Sequence, residues 1–143
     1  LTATDILDLD VGGTAYNVSF EFDTFNNLNT GGNFPFLGDG ANASSATNAI
    51  VAALNGASAT SAGPSSSSSQ TLFLVPYTSG GSTIIGLYSS SWQNFGVGGA
   101  LPDTDRVYAT FHAVVPVPAA TWLFITGLAG LIGISRHRES AKN

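Results

Sequence analysis

The chain contains no cysteine and no methionine, and only 9% of its 143 residues are charged. Without cysteine there can be no disulfide, thiolate chemistry, cysteine-type zinc site or covalently attached haem. The compartment stays open on that ground, because exported proteins also fold without disulfides. Methionine is missing even at the first position, where the chain reads Leu1-Thr2-Ala3-Thr4. We expect a leader to have been removed, and hence export. Basic residues are scarce too: four Lys and Arg stand against nine Asp and Glu, a net charge of −5. They are unevenly placed. Residues 1–116 hold Asp5, Asp8, Asp10, Glu21, Asp23, Asp39, Asp103 and Asp105 against Arg106 alone, leaving −7. Residues 117–143 hold Arg136, Arg138 and Lys142 against Glu139, leaving +2. A body that acidic cannot neutralise phosphates, so nucleic acid is excluded as a partner. The charged fraction of soluble domains is roughly 25%, and here Gly and Ser replace it, which points to loops and strands.

What is present reads as a small α+β domain, mainly an antiparallel sheet with one short helix on one face. Ile6, Leu7, Leu9 and Val11 lead into Gly12-Gly13, after which Tyr16, Val18, Phe20 and Phe22 alternate with polar residues. Period-2 patterning on both sides of Gly-Gly predicts a β-hairpin. Residues 23–40 are turn-rich, with Phe25, Leu28, Phe34 and Phe36 available to pin them to a core. Ala46, Ala49, Ile50, Ala53 and Leu54 fall at helical spacing and predict a helix over 42–57, capped by Asn42 or Ser44 and stopped at Gly56. Residues 58–70 form a Ser-rich loop too polar to pack. The runs 71–77 and 82–92 predict a second hairpin, with Pro76 marking an edge or a strand end. Residues 96–103 read as a turn, and 106–115 as a last strand with His112 on its surface.

The chain ends differently. From Ala119 to Ile134 it carries Ala, Leu, Ile, Phe, Trp and Gly, broken only by Thr121 and Thr126. As a helix that run is about 24 Å long, near the lower limit for a bilayer core of roughly 30 Å. Trp122 at the interface and snorkelling Arg136 and Arg138 make up the difference. Pro118 bars helix upstream of it, so the sequence divides into a body, 1–116, and a terminal segment, 117–143. Within that segment we expect an apolar helix over about 119–135 and a basic tail over 136–143. The basic end marks the cytoplasmic side and leaves the body outside. A buried core helix of a soluble domain is the bland alternative; an apolar surface on all faces, at the extreme terminus, argues against it.

Taken together, Val115-Pro116-Val117-Pro118-Ala119-Ala120 forms a proline motif at the head of this segment. An apolar stretch with Trp122, Leu123, Phe124, Ile125, Gly127, Leu128, Gly130, Leu131, Ile132, Gly133 and Ile134 follows, then basic Arg136 and Arg138. This order resembles the PEP-CTERM sorting signal of exported proteins from Gram-negative bacteria that make exopolysaccharide. The resemblance implies that an exosortase, a membrane protease, cuts near the motif. Val-Pro-Val-Pro stands where that family commonly has Val-Pro-Glu-Pro, and Arg-His-Arg replaces an uninterrupted basic run. The likeness spans about 25 of the 143 residues. The body is similar to small members of the same group over "DLDVGGTAYNVSFEFDTFNNL", without an activity attached.

Catalytic chemistry has little to work with. Neither His112 nor His137 stands near a nucleophile pattern. Asp8 and Asp10 share a strand face by alternation and are weak candidates for Ca²⁺, although their spacing fits no calcium loop. Solvated edge charges that discourage strand pairing are the simpler reading, so no metal and no cofactor is expected. Asn17 and Asn42 satisfy the glycosylation sequon, and serines 65–69 are a possible O-linked site, with chance and a flexible loop as defaults. The expected function is therefore a non-catalytic, exported surface or extracellular-matrix structural protein. Its partners would be the membrane or copies of itself, and an exosortase-type protease. In the more specific form, apolar helices bundle into a filament core, with Gly127, Ala129, Gly130 and Gly133 permitting close approach. A polysaccharide-binding module is the alternative, with Trp92, Tyr77, Tyr88 and Phe95 as stacking platforms. A hydrolase acting on exopolysaccharide is a third class; it needs two carboxylates about 5–9 Å apart.

Overall fold

Gly12 and Gly13 take φ of 62° and 86° between strands β2 (Asp5–Val11) and β3 (Thr14–Asp23). Two successive positive φ values are what a two-residue hairpin turn of matching twist demands. The Asp10 carboxylate closes the turn by accepting from the Gly13 N–H at 2.9 Å. The expected hairpin is therefore present, with one irregularity. Between Ile6 and Leu9 the register slips, Asp8 adopts φ 52° and Leu7 is left exposed. Such a bulge kinks an edge strand away from further pairing.

The computed structural model describes residues 1–64, 71–100 and 102–115. These form a mixed α+β domain dominated by a curled, largely antiparallel sheet with one main helix. Beyond the hairpin the elements are β1 (Thr2–Ala3), α1 (Phe25–Leu28), α2 (Gly40–Gly56), β4 (Ser61–Ala62), β5 (Leu72–Pro76), β6 (Thr83–Tyr88), β7 (Trp92–Gly98) and β8 (Arg106–Ala113). The sheet order is β2-β3-β8-β5-β6-β7, and β1 pairs separately with β4. Every neighbouring pair in the six-stranded sheet is antiparallel except β5–β8, which is parallel.

The two central strands explain why both faces need a cover. In β8 the run from Val107 to Phe111 is buried without a gap, and in β5 Phe73, Leu74 and Val75 are buried. Alternation then splits them between two clusters. Val107, Ala109, Phe111, Phe73 and Val75 meet α2 through Ala43, Ala46, Ile50 and Leu54. Tyr108 and Leu74 meet Phe25, Leu28 and Phe34 on the opposite face. The turn-rich segment is thus pinned as its aromatics foretold, with Phe25 and Phe34 stacked at 5.4 Å.

Helix α2 runs earlier and longer than its sequence suggests, 17 residues against the single short helix expected over 42–57. Its cap is Asp39, whose carboxylate accepts from the Asn42 N–H at 3.0 Å. Gly40 is its first residue and packs against the Tyr77 ring, a contact that sequence cannot display. Its C-terminus closes with Ser58 N–H to Asn55 C=O and Ala59 N–H to Leu54 C=O, both near 3 Å. That pairing is a Schellman motif, and its left-handed residue is Ser58 at φ 53°, rather than the expected Gly56. A side chain in this region is strained where glycine is not. Ser58→Gly should therefore raise stability by about 0.5–1 kcal/mol, read as a higher melting temperature of the full chain.

Strand β7 was not expected: the run 82–92, read as one strand, breaks at residues 89–91, and β7 continues through 96–98 where a turn was read. Phe95 is the extra residue of a bulge, and Gly96 follows at φ 92°. This edge is held by amides of α2 instead of a further strand. Asn55 Nδ2 donates to the Trp92 C=O at 3.0 Å and its Oδ1 accepts from the Trp92 N–H at 2.8 Å. Asn94 Nδ2 donates to Asn48 Oδ1 at 2.9 Å.

Candidate functional site

Two concavities lie on opposite sides of the sheet. The first is a polar groove of about 390 Å³ where α2 ends, lined by Asn55, Ser58, Thr60, Tyr88, Ser90 and Ser91. Hydroxyls gather here because the αL turn at Ser58 and the β6–β7 turn meet above the Trp92 ring. Tyr88 forms one wall, half-buried, its ring 5.5 Å from that of Trp92. Both ends of the Asn55 amide hold the Trp92 backbone, which fixes its orientation at the groove.

The second is a slot of about 120 Å³ on the face covered by α1. Its walls are Leu72 and Leu74 of β5, Thr83 and Ile85 of β6 and the bare backbone of Gly98 and Gly99. Arg106 and Tyr108 of β8 complete it. A Cβ added at Gly98 would lie 2.7 Å from Ile85 Cδ1, so glycine is part of the wall's shape. The Tyr108 side chain is fully buried and its hydroxyl has no hydrogen-bond partner among the described residues. Burial pushes that phenol above its ordinary pKa, and the charge of Arg106 offsets part of the shift. The guanidinium itself donates to the Asp105 carbonyl at 2.9 Å.

The residues singled out from sequence are dispersed. Asp8 occupies the β2 bulge, so the alternation that would set it beside Asp10 on one face is broken. Among the described residues no group of three or more His, Asp or Glu side chains could hold a metal ion. His112 is exposed on β8 opposite Asn17, on the sheet surface as expected. Asn17 Oδ1 accepts from the Asp8 N–H at 3.2 Å, and Asn42 lies in the first turn of α2. Asp103 accepts from Asn26 Nδ2 at 2.6 Å, tying α1 to the turn before β8.

Two carboxylates, Asp5 and Glu21, share a face of the sheet. Asp5 accepts from the Ser19 hydroxyl at 2.7 Å and Glu21 from the Thr110 hydroxyl at 2.9 Å. Asp5 pairs with Ser19 in register, which puts Glu21 on the diagonal, about 7–8 Å between backbones. Neither carboxylate lines the groove or the slot. Asp23 is held below the usual carboxylate range by the Asn27 side chain and then by the Thr24 N–H.

Of the four aromatics considered as stacking platforms, Trp92 is buried and donates its indole N–H to the Ala59 carbonyl at 2.7 Å. Tyr77 and Tyr88 pack partly against the core, and Phe95 alone stands exposed, on the edge strand. Val115 is exposed two residues past β8. The rest of the proline motif, the apolar stretch, the basic tail and serines 65–69 lie outside the described residues. Among the described residues, no helix is long and apolar enough to cross a membrane. Sequence reasoning missed the slot. Nothing in the sequence marks it, since Tyr108 shares its strand face with Arg106, Thr110 and His112 and reads as an outward position. The chain matches no known family, no characterised protein and no solved structure.

Proposed function

We propose that this chain is a non-catalytic exported protein whose acidic β-rich body belongs to the cell surface or extracellular matrix. Residues 117–143 direct its sorting and retention in this reading, with 119–135 as an apolar helix that starts in the inner membrane. The observation that carries the reading is the order of proline motif, uncharged apolar run and basic end over residues 115–138. An uncharged stretch of that length has to leave water, and lipid or a second apolar segment is what receives it. The short spacing between the end of β8 at Ala113 and the first motif residue, exposed Val115, supports it further. A protease working at the motif would meet chain emerging directly from the sheet. In the more specific form, copies gather through the apolar segment into a filament with the sheet domains outside.

Electron microscopy of native material, combined with the intact mass of the C-terminus, tests this. Membrane-bound chains, ordered fibres with residues 119–143 retained, or a mass ending near Pro118 each agree with the reading and choose among its forms. A freely dissolved, full-length monomer in the native host would overturn it.

A second reading, a module that binds exopolysaccharide, draws on the hydroxyl-rich groove beside Tyr88. Polar walls with one aromatic face suit a sugar ring, which offers hydroxyls at its rim and C–H groups on its flat side. Affinity electrophoresis through host polysaccharide separates the two readings. Retardation lost in Tyr88→Ala would favour the module, and unchanged mobility of the native protein would remove it.

A further inference from the structure

We propose that the slot where β5, β6, β7 and β8 meet is a binding site for a small neutral organic molecule, apolar except for one hydrogen-bonding atom that meets the Tyr108 hydroxyl. Three observations converge on it. The walls are aliphatic, from Leu72, Leu74 and Ile85, and the space of about 120 Å³ is too large for packing contact across it. An apolar cavity of roughly 150 Å³ holds benzene, which sets the part of an occupant enclosed here at about five heavy atoms. Tyr108 lines the slot, and the buried hydroxyl of that residue has no hydrogen-bond partner among the described residues. A buried hydroxyl without a partner is costly, and an occupant that supplies one recovers that interaction. The walls are mainly aliphatic, with Thr83, Arg106 and the backbone of Gly98 and Gly99 as the other polar groups at hand, so a largely apolar occupant fills the space better than water alone.

Charge selects a neutral occupant. Arg106 at the rim opposes a cation. It is also the only base among residues 1–116, its guanidinium already engages the Asp105 carbonyl, and Asp23 is its partner across the β3–β8 pair. An anion would therefore enter a body of net −7 with its one cation flanked by carboxylates. Binding at this site is independent of the sorting and retention reading, and neither stands or falls with the other.

The test uses the full chain in lipid nanodiscs, with ¹³C-methyl NMR of Leu74 and Ile85 as the readout. Phenol, benzene and butyrate are the probes: a neutral ring with a hydroxyl, the same ring without one, and a small anion. Phenol is expected to shift these methyl resonances saturably, about fivefold tighter than benzene, and butyrate not to bind. Tyr108→Phe should erase the advantage of phenol over benzene while melting no lower than the native chain. Ile85→Phe, which fills the slot, should weaken both rings at least tenfold. No saturable shift with phenol would overturn the proposal. So would a phenol preference that survives Tyr108→Phe, ring binding untouched by Ile85→Phe, or butyrate binding tighter than phenol.

Discussion

Gly86→Ala is expected to cost about 3 kcal/mol or more, at the upper end of what one added methyl does to a packed core. Gly86 stands opposite Phe73 in the β5–β6 pair, and a Cβ there would lie 2.1 Å from two atoms of the Phe73 ring. The ring lies across the glycine because nothing projects to stop it. It cannot simply swing aside, since Phe20 and Trp92 hold it on either flank with ring centres 5.6 and 5.5 Å away. Pairing the change with Phe73→Leu should restore much of the loss, because the smaller side chain vacates the contested space. A denaturant titration of the two single variants and the double variant reads this as a coupling energy. Full additivity of the two changes would show that ring and glycine are not competing for one volume.

The second large effect is expected at Trp92. Its side chain is buried, touches Phe73 and Tyr88, and donates its indole N–H to the Ala59 carbonyl. Trp92→Ala removes that bulk from beneath the end of α2 and should cost about 3–5 kcal/mol. For a domain of this size that lowers the melting temperature on the order of 10–20 °C. Trp92→Phe keeps the ring but orphans the Ala59 carbonyl, and should lose about 1–2 kcal/mol. A melting temperature unchanged in Trp92→Ala would contradict the placement of this residue as the anchor between helix and edge strand.

The elements that sequence revealed are those whose signals are local. Gly12-Gly13 between two alternating runs specifies a hairpin because the turn residues and the pattern sit side by side. Ala46, Ile50 and Leu54 reveal α2 because helical spacing is written along one segment. Its true start was hidden, since Gly40 reads as loop and earns its place only by packing on Tyr77 across the fold. Strand β7 was missed for a related reason. Gly96 and Gly98 read as turn residues, whereas a bulge and close packing on Ile85 and Thr83 require them. The parallel β5–β8 pairing has no local signature, as periodicity gives a strand's faces but not its partners. The same holds for the slot, which exists only where β5, β6, β7 and β8 meet. The terminal segment lies outside the described residues, and its reading rests on composition and order alone.

One consequence follows from where β8 lies. It is the last strand of the body, yet it sits between β3 and β5, joining the first hairpin to the later meander. Those two halves share no other ladder within the six-stranded sheet, although α2 packs against both, so the sheet itself closes only once residue 113 has been made. A chain that closes so late stays slack enough to thread through a translocation channel. Once it has closed, a pull on the backbone just beyond Ala113 loads the middle of the sheet, and hydrogen bonds on both flanks must shear together.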